Sequence, residues 1–143
     1  MSTHEFRMTM QLRWRDMDRL GHLNQAVYHV LMEDARDGLL AALPLPDEES
    51  VSYVLARVEL DYRHEVRKED GEVEVVVRVG RVGSKSLTLE NDLLLPDGTL
   101  AATGSTILVR WDRETRGAKE ISPDERAVLT GAGDASGAGA DPR

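Results

Sequence analysis

The sequence contains no cysteine, which excludes disulfides, thiolate nucleophiles and cysteine-ligated zinc. Aromatic residues make up only 4% of its 143 residues, and no apolar run approaches the roughly 20 residues of a membrane span. Acidic residues outnumber basic ones by 26 to 18, and the net charge of −8 disfavours nucleic-acid binding. The first residues show no signal-peptide pattern. We therefore expect a cytoplasmic protein without a membrane or nucleic-acid partner.

Motifs for several other kinds of site are also missing. The four histidines form no H-x-x-x-H or H-E-x-x-H pair, and no G-x-S-x-G nucleophile elbow is present. A stretch with two glycines at 80–83 lies between predicted strands rather than before a helix, which excludes Rossmann-type nucleotide binding. We expect neither a metal ion nor a bound cofactor.

The pattern of apolar residues predicts five β-strands. Alternate residues from Phe6 to Trp14 are apolar, which is the period of a half-buried strand. In the second predicted strand, alternate residues from Val54 to Tyr62 share one apolar side. The predicted strands cover residues 6–14, 51–62, 73–79, 87–95 and 101–111.

Two helices are predicted as well. Asn24 is a favourable N-cap, the apolar residues after it, including Val30, fall at helical spacing, and Pro44 stops the helix. Ser122 and Glu125 form a capping-box pattern at the start of a short second helix. This order of elements fits a hotdog fold, in which an antiparallel five-stranded sheet wraps around one long central helix. A cystatin-like cone has the same order, so the pattern alone leaves both open.

The chain is expected to form a single domain. Residues 1–130 contain all the predicted strands and helices. The segment 131–143 is rich in Gly and Ala, cannot bury enough apolar surface to order itself, and is expected to be a disordered tail.

The segment between the first strand and the long helix places Asp16, Asp18, Gly21 and His22 close together in sequence. A helix start exposes backbone N–H groups and the positive end of the helix dipole, which can hold an oxygen that gains charge during acyl transfer. Asp18 could attack the acyl carbon or activate a water molecule. The structural alternative is that Asp18 only caps the helix or holds the turn.

The residues 16–28 read D-M-D-R-L-G-H-L-N-Q-A-V-Y, which resembles a motif of hotdog acyl-CoA thioesterases similar to 4-hydroxybenzoyl-CoA thioesterase. Gln25 departs from the motif, where Asn is more usual. The likeness extends over about residues 6–130 and includes the segments 33–36, 58–62, 83–86 and 109–112.

The resemblance implies that the chain hydrolyses an acyl-CoA to the free acid and CoA. Asp18 matches the catalytic carboxylate of the family, and the backbone amide of Gln25 matches its oxyanion donor. His22, Asn24 and Tyr28 are expected to contact the substrate or hold the loop. Whether the carboxylate attacks directly or acts through water varies within the family.

Basic residues form two clusters that could bind the phosphates of CoA. In the family that the chain resembles, the hairpin matching 83–86 lies near the CoA nucleotide, which implies CoA contacts at Arg81, Lys85 and Ser86. The first cluster comprises Arg63, His64, Arg67 and Lys68, and the second comprises Arg78, Arg81 and Lys85.

Other functions remain open at this level. His22 with an aspartate would suit a hotdog dehydratase, although the longer signature of that group is missing. A non-catalytic acyl-CoA sensor and a cystatin-like isomerase or binding protein are further alternatives. Acyl carrier protein could replace CoA as the thioester carrier. Because family members form dimers, a homodimer or homotetramer is expected.

Overall fold

The computed structural model describes residues 4–46 and 52–131. The expected tail lies outside these residues, apart from Gly131, which ends the second helix in the left-handed conformation with φ 80°. Short 3-10 turns at Trp14–Asp16 and Lys68–Asp70 precede α1 and β3 respectively. The elements in chain order are β1 (Glu5–Gln11), α1 (Gln25–Ala42), β2 (Tyr53–Tyr62), β3 (Glu72–Val82), β4 (Ser86–Leu94), β5 (Leu100–Asp112), β6 (Gly117–Ala118) and α2 (Pro123–Thr130).

The strands form one antiparallel sheet, with the order β1-β3-β4-β5-β2 and with β6 paired to β5. All five predicted strands are present in the described residues, and the two-residue β6 is an addition to them. The strands β1 and β2 therefore lie at the two edges of the sheet. Each of them has one side whose backbone N–H and C=O groups are not paired within the sheet, and a strand of another molecule can pair there.

The helix α1 packs against β3 and β1. Its buried face includes Leu31, Ala35 and Leu39, whereas Val30, predicted on the same stripe, is exposed. Across from this face, the side predicted for β3 is buried, with Val73, Val75, Val77 and Val79 all facing the core. Val76, on the opposite face of β3, is buried as well, and α2 also contacts this strand.

One buried position in β4 is polar. Asn91 lies between the buried Leu89 and Leu93, and its Nδ2 donates a hydrogen bond of 3.1 Å to Oγ1 of the buried Thr106 in β5. This bond satisfies the amide nitrogen of Asn91, whereas its Oδ1 has no hydrogen-bond partner among the described residues, so burial of Asn91 costs stability.

The structure corrects the prediction that the first strand continues to Trp14. The strand β1 ends at Gln11, and the amide of Arg13 donates to Oδ2 of Asp16 at 2.9 Å. The amide of Asp16 donates in turn to the Arg13 carbonyl at 3.0 Å, which closes a 3-10 turn, so the period-two pattern no longer applies there. Trp14 is 83% exposed rather than buried.

The predicted apolar side of β2 is only partly buried: Val58 and Leu60 are half-buried, and Leu60 packs against the core. The pairing register with β5 shifts between Leu55 and Arg57, which marks a β-bulge that changes the direction of the side chains. No strand lies beyond β2 in the described residues. Val54, Ala56 and Tyr62 are consequently exposed.

Gly104 allows β2 to lie against β5. A Cβ at this position would overlap the carbonyl oxygen of Glu59, which pairs across the two strands. We expect Gly104→Ala to lower the free energy of unfolding in urea by about 1–3 kcal/mol, as other overpacking changes do. Gly117→Ala is the control, because a Cβ at Gly117 meets nothing within 4 Å. Equal unfolding free energies for the two variants would contradict this account.

Candidate functional site

Asp16 holds the loop that precedes α1. Its buried carboxylate accepts from the amide of Arg13 at 2.9 Å and from Nη2 of the same arginine at 2.9 Å, while its carbonyl accepts from the amide of Asn24 at 2.8 Å. The Arg13 guanidinium lowers the pKa of Asp16 below its usual value. A carboxyl with a lowered folded-state pKa stabilises the fold at neutral pH, and this stabilisation is lost as the pH falls through that pKa.

Asp18, two residues later, has a different environment. Its Oδ1 accepts from the amides of Leu20 at 2.8 Å and His22 at 3.0 Å, and its backbone amide donates to the His22 carbonyl at 2.7 Å. Gly21, with φ at 80°, allows this tight turn. Oδ2 makes no hydrogen bond within residues 4–46 and 52–131. One carboxylate oxygen thus holds the loop, and the other is available to a ligand.

The start of α1 leaves one backbone donor unpaired. Asn24 is the N-cap: its Oδ1 accepts from the amide of Ala26 at 2.9 Å, and its carbonyl accepts from the amide of Val27 at 2.9 Å. The amide of Gln25 donates to no acceptor in the described part of the chain. It therefore presents a free N–H at the positive end of the helix dipole.

Asp18 and Gln25 line one cleft of about 470 Å³. Its first wall comes from the loop and the helix start. Its second wall comes from the last residue of β2 and the segment that directly follows this strand. The lining residues are Asp18, His22, Leu23, Gln25 and Tyr28 on the first wall, and Tyr62, Arg63, His64, Glu65 and Val66 on the second.

Polar contacts join the two walls. The amide of Leu23 donates to the carbonyl of Val66 at 2.7 Å, and His22 forms an isolated bridge with Arg67. The side chains meet as well, because Nε2 of His22 lies 2.8 Å from Oε1 of Glu65. The second wall is thereby held in register with the loop that contains Asp18.

Two tyrosines form the aromatic part of the cleft. The rings of Tyr28 and Tyr62 are nearly perpendicular, at 86°, with centroids 4.9 Å apart. Burial raises the pKa of Tyr28, and the proximity of Tyr62 and Asp18 raises it further. The Tyr28 hydroxyl is therefore protonated at neutral pH and can donate a hydrogen bond.

The predicted CoA-binding residues lie elsewhere, at the turn between β3 and β4. Along β5, Ala102 pairs with Tyr62 and Val109 pairs with Ser86, a separation of seven residues or about 23 Å. This turn therefore does not line the cleft of its own chain. The residues in question are Arg81, Lys85 and Ser86.

Comparison with known proteins identifies the family. A family model described as the thioesterase-like superfamily matches residues 12–129. The chain belongs to the thioesterase-like superfamily. This membership confirms the resemblance carried by residues 16–28 and the assignment of the chain as a thioester hydrolase.

Solved structures support the same family. A thioesterase from Thermus thermophilus, complexed with coenzyme A and Zn, is 32% identical with a TM-score of 0.77, over 87% of this chain and 96% of that one. A predicted thioesterase from Bacillus stearothermophilus is 25% identical with a TM-score of 0.77, over 87% and 93%. The uncharacterized protein YsmA of Bacillus subtilis (strain 168) is 26% identical over 121 residues, 84% of this chain and 82% of its own. The two solved structures show that the α+β architecture with a curled antiparallel sheet is that of hotdog thioesterases.

The second wall of the cleft is the part of this thioesterase-like protein that sequence reasoning missed. The sequence marks Arg63 and His64 only as members of a basic cluster, and it indicates no role for Glu65. No local pattern marks Glu65, because its contact with His22 joins segments far apart in the sequence. A pairing of this kind can be found only once the fold brings the segments together.

The described residues contain neither a metal-ligand cluster nor a helix suited to span a membrane. No group of three or more His, Asp or Glu in that part of the chain could hold a metal ion. None of its helices is long and apolar enough to cross a membrane.

Proposed function

We propose that the protein is an acyl-CoA thioesterase that hydrolyses its substrate in the cleft. The observation that supports this most directly is that the unpaired amide of Gln25 and the free Oδ2 of Asp18 border the same cleft. The amide can donate to the thioester oxygen as that oxygen gains negative charge. A preorganised donor and an adjacent carboxylate are together sufficient for thioester hydrolysis.

The chemistry can follow two routes from this geometry. Oδ2 of Asp18 can take a proton from water, whose oxygen then adds to the acyl carbon. Alternatively, Oδ2 adds to the acyl carbon itself, and water cleaves the resulting anhydride. In both routes the C–S bond breaks and the sulfur leaves as a thiolate, which is a good leaving group because thiol pKa values lie near 8.5. A single turnover in ¹⁸O-water places label in the Asp18 carboxylate only in the second route, when water adds to the Asp18 carboxyl carbon of the anhydride. Trapping of the anhydride with hydroxylamine detects the same route when water adds to the acyl carbon instead.

The remaining predicted residues have supporting roles in this proposal. Tyr28 and His22 border the cleft and are placed to contact the acyl substrate. The side chain of Asn24 already accepts from Ala26, so it acts by ordering the helix start that presents the Gln25 amide.

A panel of acyl-CoAs tests the activity. Aryl, short, branched and long-chain substrates are incubated with the purified protein, and released CoA is measured with a thiol reagent. We expect at least one substrate to be hydrolysed, and the same acyl group on acyl carrier protein shows which carrier is preferred. Binding without hydrolysis of any substrate would favour an acyl-CoA sensor. Hydration of an enoyl-CoA in the same assay would favour a dehydratase.

The two edges of the sheet differ in a way that favours a dimer through β2. The edge strand β1 exposes Arg7, which pairs with Glu5 at 2.8 Å and with Glu74 at 3.1 Å. The edge strand β2 exposes the charged residues Arg57, Glu59 and Asp61, but it also exposes the consecutive apolar residues Val54, Leu55 and Ala56, whereas every exposed residue of β1 is polar. Exposed apolar residues beside unpaired backbone groups favour pairing with another strand. We infer that β2 of a second copy pairs with this edge, completing a hotdog dimer in which each sheet wraps around its central α1.

Assembly is therefore expected to depend on β2. Light scattering should give twice the mass of the chain, or four times if dimers associate further. Leu55→Lys should shift the protein toward monomer at micromolar concentration, because a charge on an edge strand opposes pairing. Thr9→Lys on β1 is the matched control and should keep the wild-type mass. A wild-type monomer at this concentration would contradict the proposed dimer through β2.

A dimer of this kind brings the distant basic turn to the cleft. In an antiparallel pair of β2 strands related by a two-fold axis, the Tyr62 end of one lies beside the Tyr53 end of the other. Tyr53 pairs with Arg110, whose amide donates to the carbonyl of Lys85 at 2.8 Å. The β3–β4 turn of the second copy then lies at the same end of the joined sheet. Three strand spacings of about 4.8 Å, from β2 to β2, β5 and β4 of the second copy, place this turn about 14 Å from the cleft. Arg81, Lys85 and Ser86 would thus contact CoA across the dimer.

Mixed dimers test this arrangement. Arg81→Ala/Lys85→Ala should raise KM for acyl-CoA about tenfold with little change in kcat, because charge-assisted contacts worth about 1.5 kcal/mol are lost. Subunits with these changes are then co-expressed with Asp18→Asn subunits and purified through two different tags. If the basic residues act across the dimer, each mixed dimer has one intact site and a wild-type KM. A KM that stays high would place the basic residues in the site of their own chain.

A further inference from the structure

We propose that Glu65 is a positioning residue for the thioester chemistry and that it acts through His22. The proposal rests on the function proposed above. Its basis is the contact across the cleft, where Oε1 of Glu65 lies 2.8 Å from Nε2 of His22. Glu65 belongs to the wall that follows β2, whereas His22 belongs to the loop that contains Asp18.

His22 transmits this contact to Asp18. The backbone of His22 is bonded to Asp18 twice, through its amide to Oδ1 at 3.0 Å and through its carbonyl to the Asp18 amide at 2.7 Å. A shift of His22 therefore moves the carboxylate proposed to react. Through its bond with His22, Glu65 anchors the catalytic loop to the opposite wall.

The same contact determines which nitrogen of His22 holds the proton. An ionised carboxylate can only accept hydrogen bonds, so Nε2 of His22 must be the protonated nitrogen in this contact. In the neutral ring, Nδ1 is then left as an acceptor. Glu65 thus fixes the orientation of the ring and its tautomer as well as its position.

Glu65 is itself held on more than one side. Its Oε2 lies 3.8 Å from Nε of Arg67, and its backbone carbonyl accepts from Nδ1 of His64 at 2.7 Å. These contacts leave Oε1 directed at His22. The side chains of His22 and Glu65 are 41% and 47% exposed, so their pairing adds little to the stability of the fold. An effect of Glu65 on activity can therefore be separated from an effect on folding.

Variants of Glu65 test the proposal. We expect Glu65→Ala to lower kcat at least about tenfold, because small displacements of reacting groups slow catalysis strongly. Glu65→Gln should retain most of the activity, since its amide oxygen still accepts from Nε2. Glu69→Ala is the control, as it removes an exposed carboxylate from the same region that contacts neither His22 nor Asp18. All three variants should unfold at the wild-type urea midpoint.

A double variant and a spectroscopic measurement complete the test. If Glu65 acts through His22, the double variant His22→Ala/Glu65→Ala should have the kcat of His22→Ala alone. Ring ¹⁵N shifts of labelled histidine should show the Nε2-protonated form in the wild type and a mixture of tautomers in Glu65→Ala. Multiplicative losses in kcat, an unchanged kcat in Glu65→Ala, or an unchanged tautomer would each overturn the proposal. The tautomer measurement needs no substrate, so it separates failure of this proposal from failure of the proposed function.

Discussion

Asp18→Asn is expected to lower the turnover number for acyl-CoA by at least about 100-fold, the lower end of what a positioned acid or base contributes. The substitution changes only one of the two oxygens of the Asp18 carboxylate. An asparagine keeps the oxygen that accepts from the amides of Leu20 and His22, so the loop should stay in place. It replaces only the free Oδ2 by an NH₂ group, which can neither attack the acyl carbon nor take a proton from water. Substrate binding should survive, because the Gln25 amide is untouched.

Asp16→Asn is the matched control for this result. Asp16 is also an aspartate of the same loop, but both of its carboxylate oxygens are occupied by Arg13, and it is only 5% exposed. We expect its replacement to lower the free energy of unfolding by about 1–2 kcal/mol, since hydrogen bonds to a charged group are lost. Turnover per folded molecule should change much less than in Asp18→Asn.

Two measurements on the two variants distinguish a catalytic role of Asp18 from a purely structural one. Single-turnover hydrolysis reports the chemical step, and urea unfolding reports the fold. If Asp18 served only as a loop cap, its variant would lose about 0.5–2 kcal/mol of stability and keep its activity per folded molecule. Full activity in a folded Asp18→Asn protein would therefore remove Asp18 from the mechanism.

Local sequence patterns in this chain predict the structure well where the strand has regular partners on both sides. The period of two in β3 holds because both its neighbours, β1 and β4, keep an unbroken register over most of its length. At Trp14 the same period fails, because a side chain, that of Asp16, takes the backbone amide that would continue the strand. In β2 it fails because a bulge at Leu55 and the edge position expose residues that their apolar character would bury.

The residues of the candidate site also fall into those that local sequence predicts and those that it does not. The first wall of the cleft could be predicted, because Asp18, His22 and Gln25 lie within one loop and helix start, whose chemistry is local. The second wall could not, since Glu65 and Tyr62 meet these residues only through tertiary pairing. The β3–β4 turn presents a third case. Its residues suit a phosphate chemically, but within their own chain they lie about 23 Å along β5 from the cleft, and only the proposed dimer would bring them to it.

The capping box of α2 shows how a local prediction can be correct and incomplete. Ser122 and Glu125 form the predicted reciprocal bonds, with Glu125 Oε1 accepting from the Ser122 amide at 3.0 Å. The same carboxylate also accepts from Nε of Arg110 in β5 at 2.9 Å, and the two residues are 4% and 3% exposed. Arg110 lies 5.8 Å from the ring centroid of Tyr53, and burial raises the pKa of Tyr53 to about 12. Glu125, which caps α2, is therefore also one partner of a buried ion pair.

Glu125→Leu is expected to lower the free energy of unfolding by about 3–5 kcal/mol, because it leaves the charge of Arg110 buried without its carboxylate. Among residues 4–46 and 52–131, Arg110 then keeps only the carbonyls of Ser52 at 3.4 Å and Trp111 at 2.9 Å as acceptors. Ser122→Ala is the control for the cap alone, and its loss should be about 1 kcal/mol. Arg110→Met in the Glu125→Leu background should restore much of the stability, since neither charge is then buried. Urea unfolding of the four proteins measures these differences. A Glu125→Leu loss no larger than that of Ser122→Ala would show that Glu125 acts as a cap and nothing more.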